Sequence, residues 1–193
     1  VMSKDWTVQR SGGYEGMAFQ PGTNLLWGML EKPLLGEDGK PEGTFLRAMA
    51  FDPAKGEWTG ASFKFALAEG ATAIGDFNFI DETRALVIER DNGEGLAALK
   101  CAGDPMPDCF PAPALVKRVV LIDTAQVDAD GFVRRIGYVD LLNIADPEGK
   151  ARLETAGGVA GTFTVPFFTI EDVMQVDDSH IMVAVDNNLP YSS

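Results

Sequence analysis

An all-β fold is what this sequence predicts, and three features predict it. The 21 glycines and 11 prolines among 193 residues call for many turns and for short strands rather than long helices. Hydrophobic residues, at 46%, are ample for a packed core and too many for a disordered chain. The third feature is a repeat: Tyr14 to Glu31, Ile74 to Asp91 and Ile170 to Asn187 align without a gap. In each copy an apolar strand follows an early acid, a short polar turn intervenes, and a second apolar strand ends in an acidic or amide residue. The turns Gln20-Pro-Gly-Thr-Asn24, Asp81-Glu-Thr-Arg84 and Asp177-Asp-Ser-His180 have the chemistry and length of hairpin loops.

In chain order, strands are expected at 14–20 and 25–31, then at 45–51 and 57–65 around the turn Asp52-Pro-Ala-Lys-Gly56. The next set is 74–80, 84–90, 114–123 and 132–139, the last two separated by Asp128-Ala-Asp-Gly131. A final pair is expected at 170–176 and 180–186. Long loops occupy 92–113 and 140–169, with a short helix expected at Asp146 to Glu154. Each full interval holds four antiparallel strands, the content of one propeller blade. The prediction is therefore about two and a half four-stranded blades of a longer β-propeller, at 14–65, 74–140 and 170–187, within one domain spanning 1–193. Two and a half blades cannot close a ring, so the remaining blades of the same protein are the expected partner of the open sheet faces.

Composition excludes several classes. With 16 Lys and Arg against 29 Asp and Glu, the net charge is −13 and the pI about 4.4, which argues against nucleic acid and against an anionic membrane surface. The longest uncharged run, Thr155 to Ile170, carries Gly, Pro and Thr and does not read as a membrane span. Cys101 and Cys109 lie in a short, turn-rich segment without histidine, and read as a local disulfide rather than a metal site. Such a bridge places the protein in an oxidising compartment.

Strand-end acids are the candidate chemistry. Glu15, Asp76 and Glu171 begin the first strand of each copy; Glu31, Glu89, Asp91, Asp186 and Asn187 end the second. A hairpin returns both positions to one end, and oxygen donors gathered at one mouth of a channel suit a hard cation, calcium above all. The bland reading of any one of them is a solvated or salt-bridged surface acid, with Arg47 and Arg90 as available partners.

The words Gly13-Tyr-Glu-Gly-Met-Ala18, Ala73-Ile-Gly-Asp-Phe77, Leu86-Val-Ile-Glu-Arg-Asp91, Ile170-Glu-Asp172 and Val185-Asp-Asn-Asn188 resemble the phytase-like propeller family described as "esterase-like activity of phytase". The resemblance covers nearly the whole chain. It implies a secreted or periplasmic bacterial propeller, acidic channel residues that bind calcium, and hydrolysis of a small-molecule phosphate or carboxylic ester. Carried over by residue, it points to Glu15, Glu89, Arg90, Asp91, Glu171, Asp186 and Asn187. Glu89, Arg90 and Asp91 are its catalytic candidates; Glu15, Glu89, Asp91, Glu171, Asp186 and Asn187 are its metal candidates. The competing reading is a non-catalytic, calcium-stabilised propeller serving as a binding or envelope scaffold.

Other templates find little support. His180, the single histidine, falls in a hairpin turn and reads as a surface residue, and zinc or copper sites lack further ligands. No Gly-x-Ser-x-Gly elbow, Gly-x-Gly-x-x-Gly or P-loop occurs. Trp27, Trp58, Phe63 and Phe167-Phe168 read as packing residues, and Gly157-Gly158 with Gly161 as a turn.

Overall fold

The computed structural model describes residues 7–104, 108–152 and 158–186. Two four-stranded antiparallel sheets and a hairpin account for most of it. The first sheet runs β1 (Tyr14–Gln20), β2 (Leu25–Leu30), β3 (Phe45–Asp52), β4 (Glu57–Ala66) in simple meander order. The second repeats that order with β5 (Ala73–Phe79), β6 (Arg84–Arg90), β7 (Lys117–Val127) and β8 (Val133–Asp140). A two-residue pair, β9 (Ile144–Ala145) with β10 (Thr162–Phe163), decorates the loop region, and β11 (Ile170–Asp177) pairs with β12 (His180–Val185).

The strands follow the predicted alternation, and burial explains their order. In β1 one face is covered and the other exposed, so Gly16 and Ala18 are buried while Met17 and Phe19 face solvent. In β6 the run Ala85 to Arg90 is buried throughout, as expected of a strand covered on both faces. The second sheet is accordingly the middle layer. Its Phe77, Val87, Val120 and Ile122 meet Met29, Ala48, Phe63 and Phe65 of the first sheet in the larger core. Its opposite face, with Leu86, Ile88 and Val119, meets Ile170 and Val173 of the hairpin. Each fully buried large side chain here, Phe65 and Phe77 among them, contributes about 1.5–3 kcal/mol through removal from water.

The first strands of the three hairpins, β1, β5 and β11, lie side by side. Two glycines permit this. A Cβ on Gly16 would stand 2.5 Å from Phe77 Cβ, and one on Gly75 would stand 1.9 Å from the Ile170 carbonyl oxygen. Asp76 stitches the second seam: Oδ2 accepts the Val173 N–H at 2.9 Å, and Asn78, bonded to the same oxygen, donates to the Val173 carbonyl at 3.0 Å.

Two expectations change. The segment 146–152 is a set of turns rather than a helix, because Asp146 draws the N–H groups of Lys150 and Ala151 onto its carboxylate at 2.7 and 3.0 Å; residues 153 and 154 lie outside the described part. The strand expected from 114 begins at Lys117, since 115–116 bond to Asp91 instead of a neighbouring strand. The described strands form no closed ring.

Candidate functional site

Every hairpin turn points to one end of the sheets and every long connection to the other. The described residues of 31–44, 91–116 and 141–169 lie at the end where β1, β5 and β11 begin. Long loops on a rigid sheet are where binding residues gather, and the strand-end acids lie at this end.

The register shows how they are aimed. Each hairpin carries an irregularity at the same place, between Tyr14 and Gly16, Ile74 and Asp76, and Ile170 and Asp172. The extra residue is Glu15, Gly75 and Glu171 respectively. A bulge leaves one residue out of the ladder and re-aims its side chain, so both acids leave the sheet at equivalent points. The second strand supplies the other position. Glu31 donates its N–H to Gly13 O, Arg90 pairs with Ala73, and Asp186 donates its N–H to Thr169 O. Glu31, Arg90 and Asp186 are therefore equivalent residues of three hairpins. The gap-free sequence alignment put Glu31 beside Asp91 instead. It is off by one because β1–β2 pairs Phe19 with Leu26 whereas β5–β6 pairs Phe79 with Ala85.

These positions share one electrostatic neighbourhood. Partial burial holds the Glu15 carboxyl above the usual range, with Glu31 and Glu171 adding to the effect and Arg90 and Lys32 opposing it. Burial likewise raises Glu171, with Arg90 opposing and Asp186, Glu31 and Asp172 adding to it. Arg90 is the cation common to both. Its Nη2 lies 3.1 Å from Glu31 Oε1, its Nη1 donates to Asn92 at 3.2 Å, and its guanidinium sits 5.6 Å from the centre of the Phe168 ring. Nε of Arg90 is buried without a hydrogen-bond partner.

Two predicted site residues lie elsewhere. Glu89 is fully buried, takes both Arg135 nitrogens at 2.8 Å and accepts the Ala68 N–H at 2.7 Å. Strand alternation turns it away from Arg90, into the seam between the two sheets. Asp91 is buried at the root of the loop 92–116. It accepts the N–H groups of Gly93, Leu115 and Val116 and pairs with Lys117 Nζ at 3.0 Å. Both carboxylates are engaged in holding the chain together. Asp76 likewise works in the seam described above, Asn187 lies outside the described residues, and Asp186 stands exposed beside Glu171. Among the described residues no three acids or other ligands stand together in the arrangement a metal ion needs.

Sequence reasoning passed over Lys117, assigned Arg135 no partner and read Phe168 as a packing residue. Lys117 lies beside Arg118 in an otherwise apolar run, and burial depresses its ammonium from the usual value with Asp91 as the main compensation. The expected bridge is formed, joining Cys101 and Cys109 with an S–S distance of 2.03 Å.

Stacked antiparallel meanders with acids and Arg90 at the loop-bearing end define a class: an all-β repeat protein with a polar mouth. The chain belongs to the family described as "Phytase-like: Esterase-like activity of phytase", whose model matches residues 2–189. No curated protein and no solved structure matches the chain. No helix among the described residues is long and apolar enough to cross a membrane.

Proposed function

We propose that this protein is a hydrolase of small phosphate or carboxylic esters, built as a β-propeller with its site at the loop-bearing end. The observation that carries the reading is the equivalence just described. Glu15 and Glu171 sit at equivalent bulges and Glu31, Arg90 and Asp186 at equivalent strand ends, and the charges of Glu31 and Arg90 act on both Glu15 and Glu171. A carboxylate raised by burial and by like charges is suited to take a proton from water.

The propeller is supported by the exposed faces. Met17, Phe19 and Trp58 of the first sheet, and Met174, Val176 and Met182 of the hairpin, are apolar and exposed. The equivalent faces of the middle sheet are covered by neighbouring sheets, so further blades are the proposed cover.

Calcium enters as charge compensation. The acids at the mouth outnumber Arg90, and oxygen donors of this kind suit a hard cation. Glu15, Glu171 and Asp186 would hold it, with Asn187 next in the chain. The described residues do not by themselves complete a ligand set, so ligands from further blades belong to the proposal. Bound calcium would screen negative charge on the substrate.

Neutral esters and lactones fit this mouth better than a polyphosphate. Arg90, Lys117 and Arg135 are all engaged by Glu31, Asp91 and Glu89, and phosphate recognition needs uncommitted cations. The disulfide supports a periplasmic or secreted location. A calcium-stabilised scaffold is the second reading, favoured by the structural engagement of the catalytic candidates Glu89 and Asp91.

The test is metal analysis of the full-length protein, with turnover of carboxylic esters, lactones and phosphate monoesters measured with and without a chelator. Turnover lost in Glu15→Gln and Glu171→Gln supports the hydrolase. Calcium-dependent thermal stability with no turnover of any substrate leaves the scaffold.

A further inference from the structure

The two longest loops at the mouth are fastened to each other and to Arg90 by a continuous series of contacts that starts at the disulfide. Cys101 donates its N–H to Phe110 O at 3.0 Å, and Phe110 donates its own to Leu99 O at 2.9 Å, so the bridge Cys101–Cys109 fixes where Phe110 lies. The Phe110 ring covers Gly95 so closely that a Cβ there would fall 2.1 Å from a ring carbon. Gly95 donates its N–H to Pro166 O at 2.7 Å, joining the loop 91–116 to the loop 141–169. Two residues further, the Phe168 ring lies against the Arg90 guanidinium, and the Phe168 carbonyl is 3.5 Å from Lys117 Nζ.

Among its described residues the loop 92–116 has little regular structure of its own beyond one 3₁₀ turn, Ala97–Leu99. Asp91 clasps its root. Its outer part has the disulfide. A loop held at both places loses far less entropy on settling into one conformation than one held at its root alone. Arg90 needs such a support, because one edge of its guanidinium is bound by Glu31 and Asn92 while its face rests on the Phe168 ring.

We propose that the Cys101–Cys109 bridge is a positioning element of the mouth: by seating Phe110 on Gly95 it fixes the Pro166–Phe168 segment, and through Phe168 it holds Arg90 among Glu15, Glu31 and Glu171. The positioning itself is independent of the reaction; only its effect on turnover rests on the hydrolase reading.

The experiment compares the full-length protein with the double variant Cys101→Ser/Cys109→Ser and with Phe110→Ala, which keeps the bridge and removes the ring. Hydrogen exchange is read at Gly95, and at Ile80 and Thr124 near the opposite end of the second sheet. Exchange at Gly95 should quicken at least about tenfold in both variants, with Ile80 and Thr124 unchanged. The side-chain NMR signals of Arg90 should shift or broaden in both variants as its guanidinium loses its fixed place against Phe168. Unchanged exchange at Gly95, or unchanged Arg90 side-chain signals, overturns the proposal. Should the double variant fail to fold, Phe110→Ala decides alone. On any ester the parent hydrolyses, kcat/KM should fall in both variants. Changed exchange at Gly95 and changed Arg90 signals in a protein that hydrolyses nothing would uphold the positioning and remove the hydrolase.

Discussion

Arg90 of the second sheet reaches the end of the first and sets its Nη2 3.1 Å from Oε1 of Glu31, with both side chains almost wholly buried. The two residues end equivalent strands of successive repeats, so one position of the repeat supplies both halves of an ion pair. Arg90→Gln should destabilise the protein by about 3 kcal/mol, because a buried carboxylate is then left with Lys32 alone at 3.5 Å. Replacing both residues, Arg90→Met with Glu31→Leu, should cost about 1 kcal/mol or less, since no uncompensated charge remains. Urea unfolding of the two variants beside the parent checks the difference.

The seam pair Glu89–Arg135 should behave as structure and not as chemistry. Glu89→Gln is expected to cost about 3 kcal/mol. The exposed pair Lys40–Asp38, at 3.3 Å, is the contrast: Lys40→Gln should change stability by less than about 0.5 kcal/mol. If an ester substrate is found, Glu89→Gln at a temperature where it remains folded should retain turnover.

The mouth acids give a pH signature whose sign is fixed. Burial and neighbouring carboxylates raise Glu15 and Glu171 above their unfolded values. The stability linked to their protonated forms is present below the ordinary glutamate range, about pH 4, and is lost as pH rises through the raised values. Without divalent cation, Glu15→Gln and Glu171→Gln should therefore melt higher than the parent at neutral pH and match it in acid. A melting profile across pH in chelator tests this; a variant that melts lower at neutral pH contradicts the account.

Gly75→Ala probes the contact between neighbouring hairpins. Its Cβ would meet the Ile170 carbonyl oxygen, a backbone atom that cannot rotate aside. The variant should lose several kcal/mol, on the order of 3 or more. Protection should be lost first at Val173, whose N–H is held by Asp76. Hydrogen exchange resolves that order.

Most of the strand layout was legible in the residues. Alternation in β1 and the unbroken apolar run of β6 report how many faces of each strand are covered, and turn residues mark the hairpins. The cysteine spacing announced the bridge. The helix expected at 146–154 was less legible, because a single aspartate can redirect two backbone N–H groups without leaving a periodicity to read.

The sequence by itself determined that three similar hairpins exist and that acids cluster at their ends, because period-two alternation and turn chemistry are local properties. Only the tertiary structure decided which acids meet. A one-residue difference in pairing made Glu31 the counterpart of Arg90, and bulges turned Glu15 and Glu171 out of the ladder. Strand alternation sent Glu89 into the seam, where Arg135 from a distant strand neutralises it. Register and long-range partners belong to the packed sheets, and a side chain one residue away along a strand faces the opposite side.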